Sequence, residues 1–172
     1  LKQDFSTTGL NQKWVSDITY IHTKQDGWCY LASVMDLHSK KVIGFSMSTS
    51  MTTQLVMDAL DNATLNNCPK NVILHSDLGS QYTSQTYQDQ VKEHGMYQSF
   101  SRKGCPYDNA GIESFHASLK KEEVFHHHYL NFKVAKESIF KYIESWYNRQ
   151  RIHSSIGYLT PDAFELQSKA VS

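Results

Sequence analysis

A single change of hydrophobic period constrains the fold of this chain more than any other feature of its sequence. Three segments rich in β-branched and aromatic residues, which favour strands, follow one another at 13–22, 28–37 and 41–48. After Thr52 and Thr53, which can cap a helix, apolar residues recur at helical spacing as far as residues 66–67. We therefore predict an antiparallel meander of three strands, with a tight turn at 24–27, followed by a helix.

The rest of the chain alternates between strand and helix patterns. Strand patterns lie at 71–74 and 96–101. Helical patterns lie at 85–94, from 108 or 109 to about 125, from 132 to about 147, and from Pro161 onward. A meander followed by alternating strands and helices predicts an α/β fold, with a five-stranded mixed sheet that helices cover on both faces.

The length of 172 residues suits one domain with one core. We expect an N-terminal arm over 1–12, an α/β core over 13–125 and a C-terminal helical extension over 126–172. The sequence contains no apolar run long enough to span a membrane and no charged-then-apolar leader, so we expect a soluble cytoplasmic protein. Its three cysteines form no CxxC pair, which argues against a disulfide framework or a structural zinc site.

The charge of the chain gives little indication of its partners. The 17 basic residues balance the 17 acidic ones, so the chain as a whole lacks the signature of a polyanion-binding protein. Residues 1–100 contain 7 basic and 9 acidic side chains, and residues 101–172 contain 10 and 8. That imbalance is too small to indicate nucleic-acid binding.

Three carboxylates occupy positions that are unusual for surface acids. Asp77 follows the fourth predicted strand, and functional groups collect at the carboxyl ends of strands in α/β sheets, although an Asp before Gly can also be only a turn former. Asp17 alternates with Val15 and Ile21 on the first strand, where burial is costly unless the carboxylate is paired or binds a cation. Glu113 lies on a predicted helix face that it shares with Asn109, His116 and Lys120, turned well away from the apolar stripe of Ile112, Phe115 and Leu119.

Such a trio is suited to phosphoryl-transfer chemistry. Carboxylates bind hard divalent cations such as Mg²⁺, and two such ions can activate an attacking hydroxyl and stabilise a leaving oxygen. A glycosidase pair is the competing interpretation, but it leaves the third acid unexplained. The run His126-His127-His128 could suggest another metal site, yet consecutive imidazoles point in different directions, so a solvated connection is the simpler interpretation.

Four blocks of sequence resemble a known family. They are WVSDITYI around Asp17, HSDLGSQY around Asp77, YDNAGIESFHASLKKE around Glu113, and SWYNRQRIHSSIGYLTPDAF over 145–164. In this order, and with 35 residues between Asp77 and Glu113, they are similar to bacterial insertion-sequence transposases whose second reading frame (OrfB) encodes a retroviral-integrase-like DDE core.

The resemblance implies a ribonuclease H-like fold and a Mg²⁺-dependent polynucleotidyl transferase. Asp17, Asp77 and Glu113 would hold two Mg²⁺ ions, for which Mn²⁺ can substitute. His75 and Asn109 match family positions that support the ligands or position substrate, although either could be only a satisfied polar neighbour. The basic residues that could contact DNA phosphate, or belong to a solvated face, are Lys120 and Lys121, with Arg149, Arg151 and His153 as weaker candidates.

The family also implies partners that this sequence does not contain. We expect DNA as the substrate, both element ends and target, a homodimer or larger synaptic complex near the nucleoid, and a helix-turn-helix region encoded upstream. The chain resembles an excised catalytic core, so we expect weak and largely nonspecific DNA binding. Leu78 and Cys105 depart from the family's usual polar residues, a change that bears on DNA contacts rather than on the metal ligands. A nuclease that does not join strands and a non-catalytic DNA-binding or dimerisation module remain as alternatives.

Overall fold

The computed structural model describes residues 5–65, 67, 69–101 and 109–171. The strands are β1 (Lys13–Thr23), β2 (Gly27–Asp36), β3 (Val42–Ser48), β4 (Ile73–Ser76) and β5 (Tyr97–Phe100). The helices are α1 (Thr53–Leu65), α2 (Ser80–Thr83), α3 (Gln85–Glu93), α4 (Ala110–Glu122), α5 (Phe132–Lys141) and α6 (Pro161–Val171). A π-helix over Tyr142–Tyr147 continues α5, and short 3₁₀ turns occur at Val124–His126 and Ser154–Ile156.

The five strands form one mixed sheet in the order β3-β2-β1-β4-β5. The first three strands are antiparallel, whereas β4 runs parallel to β1 and β5 runs parallel to β4. This arrangement confirms the predicted α/β class and the mixed five-stranded sheet. No helix in the described ranges has the length and apolar character that crossing a bilayer requires.

The boundaries of some elements differ from the sequence-based prediction. The fourth strand begins at Ile73 rather than at residue 71, because Asn71 adopts a left-handed backbone conformation with φ of 60° and belongs to the preceding turn. The short helix α2 was not predicted, and α4 ends at Glu122 instead of continuing to residue 125. The predicted loop at 102–109 lies outside the described residues except for its last residue, Asn109. Cys105 therefore lies outside them as well.

The two faces of the sheet bury different sets of side chains. On β1, Val15 and Ile21 point into a core that α4 and α5 cover, whereas Trp14 points into a second core beneath α1 and α3. This alternation follows from the two-residue period of a strand. It places Asp17, which has the parity of Val15, on the face that carries α4.

The C-terminal segment docks onto the beginning of β3. The buried Asn148 side chain accepts a hydrogen bond from the Val42 backbone N–H at 3.0 Å and donates one to the Val42 carbonyl at 2.9 Å. The Lys41 ammonium lies 2.8 Å from Asp162 and 2.6 Å from Glu165, both on α6. These contacts fix the C-terminal helices against the sheet that carries the candidate site.

Gly44 sets how closely α1 approaches β3, and a side chain there is expected to be strongly destabilising. A Cβ at this position would lie 2.5 Å from the Ala59 carbonyl oxygen and 2.6 Å from Ala63 Cβ. Because helix backbone cannot yield as a flexible side chain does, Gly44→Ala should lower the free energy of unfolding by about 2 to 3 kcal/mol. Urea denaturation will measure this loss. Gly9→Ala is the control, since its Cβ would meet only the end of the Gln12 side chain, at 3.4 Å, and equal losses in both variants would contradict the prediction.

Candidate active site

The parallel pairing of β1 and β4 brings two of the candidate carboxylates to the same end of neighbouring strands. Val15 and His75 are the last residues that pair, and Asp17 and Asp77 each lie two residues beyond them. Adjacent strands lie roughly 4.8 Å apart, and both residues have the parity of the face that carries α4. Asp77 follows the last residue of β4 directly and is exposed, so it stands at the carboxyl end of the strand as predicted.

Each aspartate is held through one of its oxygens. The Asp17 Oδ1 atom accepts a hydrogen bond from the Ile18 N–H at 2.8 Å, and the Asp77 Oδ1 atom accepts one from the Gly79 N–H at 2.9 Å. These bonds fix the rotamer of each carboxylate and thereby set the direction of its second oxygen. A Cβ at Gly79 would lie 2.9 Å from Asp77 Oδ1, so a side chain there would have to displace the carboxylate.

Helix α4 reaches Asp17 through a histidine to which the sequence analysis gave no role. His116 Nδ1 lies 3.5 Å from Asp17 Oδ2, and His116 is only 7% exposed. The sequence analysis placed His116 and Asn109 on the polar side of this helix, and the structure buries both of them. Both residues share the predicted helix face of Glu113. That shared face was the only feature of the sequence that indicated they lie near the candidate site.

A buried tyrosine lies beneath the aspartates on the opposite face of the sheet. The Tyr82 hydroxyl is 3.1 Å from Ser16 Oγ, and its ring packs edge-on against Tyr87. Burial raises the pKa of Tyr82 well above its usual range, and Tyr87 and the carboxylates of Asp17 and Asp77 raise that pKa further. Tyr82 therefore remains a neutral phenol.

Glu113 lies on the same helix as His116. It is exposed on the first turn of α4, three residues before His116. Within the described ranges, no three His, Cys, Asp or Glu side chains lie close enough together to hold a metal ion. The structure thus aligns Asp17 with Asp77 and brings α4 to Asp17, but it does not gather all three carboxylates into one cluster.

The donor types on this face nevertheless suit a hard divalent cation. Carboxylate oxygens are the ligands that Mg²⁺ prefers, and neither aspartate is neutralised by a lysine or arginine among the described residues. The buried atoms His116 Nε2 and Asn109 Oδ1 have no hydrogen-bond partner within the described part of the chain. Buried polar atoms are normally paired, so these two indicate a surface suited to a polar ligand.

His75 and Asn109 differ in the contacts that their side chains make. His75 is buried, with Nδ1 3.0 Å from Ser99 Oγ, Nε2 3.1 Å from Ser101 Oγ, and its ring edge-on to Phe5. These contacts anchor the end of β4 to β5 two residues before Asp77. Asn109 occupies the N-cap position of α4, yet its side chain makes no capping hydrogen bond.

The basic candidates differ in how far their charges are already engaged. The Lys120 ammonium lies 4.6 Å above the centre of the Tyr20 ring, and Lys121 is exposed. Arg151 is paired with Glu122 at 2.8 Å, and Arg149 lies 3.7 Å from Asp162. Among the described residues, the two arginines therefore have carboxylate partners and the two lysines on α4 have none.

The sheet order, the aligned aspartates and the crossing helix define a ribonuclease H-like fold of the kind found in integrases. The chain belongs to the integrase core domain family: residues 8–106 match one family of that description (rve), and residues 94–161 match a second (rve_3). The catalytic core domain of HTLV-2 integrase, solved in complex with magnesium, has a TM-score of 0.72 at 16% identity, over 93% of this chain and 99% of that one.

The more similar sequences are transposases. The chain is 50% identical over 171 residues to the transposase InsF of insertion sequence IS3A from Escherichia coli (strain K12), which covers 99% of this chain and 59% of InsF. It is 44% identical to the transposase of insertion sequence element IS904 from Lactococcus lactis, over 96% of this chain and 65% of that protein. The chain therefore spans about three fifths of the length of these relatives.

Proposed function

We propose that this chain is the catalytic core of a DDE transposase, which cuts and joins DNA strands at the ends of an insertion sequence. The observation that carries the proposal is the register of β1 and β4, which aligns Asp17 with Asp77 on the face that α4 approaches through His116. The 50% sequence identity with InsF supports the same activity.

In this proposal Asp17, Asp77 and Glu113 would hold two Mg²⁺ ions, for which Mn²⁺ could substitute. Such ions supply activation of an attacking oxygen and stabilisation of the leaving one. Water or a DNA 3′-hydroxyl then forms a new phosphorus–oxygen bond as the bond to the leaving oxygen breaks. The hydrogen bonds from Ile18 N–H and Gly79 N–H orient the aspartates, His75 fixes the end of β4, and Asn109 faces the substrate.

The proposed partners follow from the same family. They are the DNA of the element ends and of the target, a second copy of the core or a larger synaptic assembly, and a helix-turn-helix region encoded upstream. Lys120 and Lys121 would contact phosphate near the site, with Arg149 and Arg151 further away. We also propose that residues 1–172 act as one catalytic unit in the bacterial cytoplasm, where the nucleoid lies.

An assay of cleavage and joining on labelled duplexes tests this function. With Mg²⁺ or Mn²⁺, we expect nicked products and longer strand-transfer products, and EDTA should abolish both. Asp77→Asn should remove both activities as well, whereas Asp89→Asn should retain them, because Asp89 is a half-exposed acid on α3 that lies near Lys92.

The products also separate the alternatives. Nicking without joined strands would favour a nuclease of the same fold. DNA binding without either product, under conditions in which InsF is active, would favour a non-catalytic module. Either result would overturn the proposed transposase activity.

A further inference from the structure

A groove of about 410 Å³ lies beside the candidate active site, between the β1–β2 hairpin and the segment that follows α4. Two elements carry residues of both the site and the groove. On β1, Tyr20 follows Asp17 by three residues, and on α4, Lys120 follows Glu113 by two turns. Its lining includes Tyr20, His22, Lys24, Trp28, Lys120 and Phe125.

The two walls of this groove are tied together at its base. The Lys24 N–H donates to the Tyr129 carbonyl at 3.0 Å, and the Gln25 N–H donates to the Leu130 carbonyl at 2.9 Å. The Phe132 N–H in turn donates to the Asp26 carboxylate at 2.6 Å. Backbone hydrogen bonds of this kind hold the hairpin against the α4–α5 connection, so the groove is part of the fold and not a gap between mobile side chains.

Large aromatic rings stand exposed in the groove. Tyr20 is 56% exposed, Trp28 54% and Phe125 73%, although rings of this size usually contribute to a core. Tyr20 and Trp28 meet edge to face, with their centroids 5.4 Å apart and their planes at 88°. His22 also packs edge-on against Trp28, with the ring centroids 5.0 Å apart. These contacts fix the orientation of the indole and leave part of its surface exposed to solvent.

The charge of the groove has one sign. The charged side chains that line it are those of Lys24 and Lys120, and no carboxylate from the described ranges is among the lining residues. Two carboxylates lie close by: Glu123 accepts hydrogen bonds from Tyr129 and Ser138 and lies 3.3 Å from His127 Nδ1, and Asp26 accepts the one from Phe132. The Lys120 ammonium lies 4.6 Å above the Tyr20 ring, so a positive charge and an exposed aromatic ring are in contact in the groove.

We propose that this groove binds unpaired nucleotides of a DNA strand, with bases stacked on Trp28 and Tyr20 and phosphates held by Lys120 and Lys24. Proteins that hold single strands combine a basic groove with exposed aromatic rings, and bases in a duplex do not offer their faces to such rings. The inference rests on the proposed function, because it names the state of the substrate strand next to the carboxylates: DNA opened at its end rather than fully paired.

Equilibrium binding of DNA without metal tests the proposal apart from catalysis. The probes are a fluorescein-labelled oligothymidylate and a blunt duplex of equal length, followed by anisotropy in EDTA. Trp28→Ala and Tyr20→Ala should each weaken binding of the single strand about tenfold, the usual effect of losing one stacked base, and should change duplex affinity less than about twofold. Trp28→Phe, which keeps a ring, should restore most of the affinity for the single strand.

Tyr97→Ala is the matched control, because Tyr97 is 60% exposed on β5 and lies outside the groove. A second measurement uses a protein with an intact groove: in Trp146→Phe, Trp28 is the exposed tryptophan and Trp14 is fully buried, so oligothymidylate should quench the accessible fluorescence. Absence of quenching would overturn the proposal, as would equal losses on single-stranded and duplex DNA.

Sedimentation of the same variants separates a protein-binding surface from a DNA-binding one. If Trp28→Ala changes self-association and leaves oligothymidylate affinity unaltered, the groove is an interface between copies of the chain and the proposal is wrong. Failure of the proposed catalytic function would look different, with stacking intact in EDTA and no cleavage on addition of metal.

Discussion

Asp17→Asn is expected to lower the rate of DNA cleavage by at least about a thousandfold. A carboxylate that holds a catalytic cation contributes several kcal/mol to stabilisation of the transition state, and about 1.4 kcal/mol corresponds to a factor of ten in rate. The amide oxygen can still accept the hydrogen bond from the Ile18 N–H that Asp17 Oδ1 accepts at 2.8 Å. The variant therefore removes the charge and keeps the local geometry.

Two comparisons separate this loss from a loss of folding. Without metal, the free energy of unfolding of Asp17→Asn should stay within about 1 kcal/mol of the parent value, because Asp17 gains only the 3.5 Å contact with His116 and stands beside the like charge of Asp77. With Mn²⁺, the parent chain should melt at a higher temperature and the variant should not, since an ion that binds only the folded state stabilises it.

The control for Asp17→Asn is Asp58→Asn. Asp58 is exposed on α1, beneath the opposite face of the sheet, and accepts a hydrogen bond from Gln54 at 2.7 Å. Its variant should keep both the cleavage rate and the Mn²⁺-dependent rise in melting temperature. Cleavage by Asp17→Asn within about tenfold of the parent rate would show that Asp17 holds no catalytic ion.

The positions of the aspartates could be predicted because they depend on local patterns. The alternation around Asp17 assigns it to the face of Val15 and Ile21, and the apolar run before Asp77 places it after a strand. Both assignments need only the two-residue period of a strand and the signals that end one. The pairing of β1 with β4, which brings the two residues to the same end of the strands, is known only from the structure.

The surroundings of the site could not be predicted in the same way. The helical period put His116 on a polar face, and only the approach of α4 to β1 buries that face against Asp17. The groove depends on the hairpin turn at Lys24 meeting Tyr129, about a hundred residues later in the chain. Contacts between distant segments are set by tertiary packing, on which a sequence pattern within one element carries no information.

Glu122→Ala is expected to destabilise the fold by about 2 to 4 kcal/mol, because this carboxylate joins α4 to the C-terminal extension. It accepts hydrogen bonds from Tyr142 Oη at 2.8 Å and Trp146 Nε1 at 3.2 Å, and Arg151 Nε lies 2.8 and 3.1 Å from its two oxygens. Hydrogen bonds to a charged group are worth more than neutral ones, and removing the carboxylate leaves the Arg151 charge without its partner.

The pH dependence of stability provides a second readout of the same contacts. Burial raises the pKa of Glu122, but the hydrogen bonds from Tyr142, Arg151 and Trp146 outweigh burial, so the net effect is a lowered pKa. The contribution of Glu122 is therefore fully present above the ordinary glutamate pKa of about 4.3 and is lost as the pH falls through the lowered value. Urea denaturation should show a difference between parent and Glu122→Ala that shrinks below about pH 4.

Glu137→Ala is the matched control for this loss, since Glu137 is an exposed acid on α5 and its removal should change stability by less than about 0.5 kcal/mol. Glu122→Gln should fall between the parent and Glu122→Ala, because an amide can still accept from Tyr142 but does not neutralise Arg151. Equal stability of all these proteins, or a difference that grows as the pH falls, would be incompatible with the charged network. Because α4 carries Glu113 as well as Glu122, weakening this end of the helix should also reduce the rate of cleavage under conditions in which the chain remains folded.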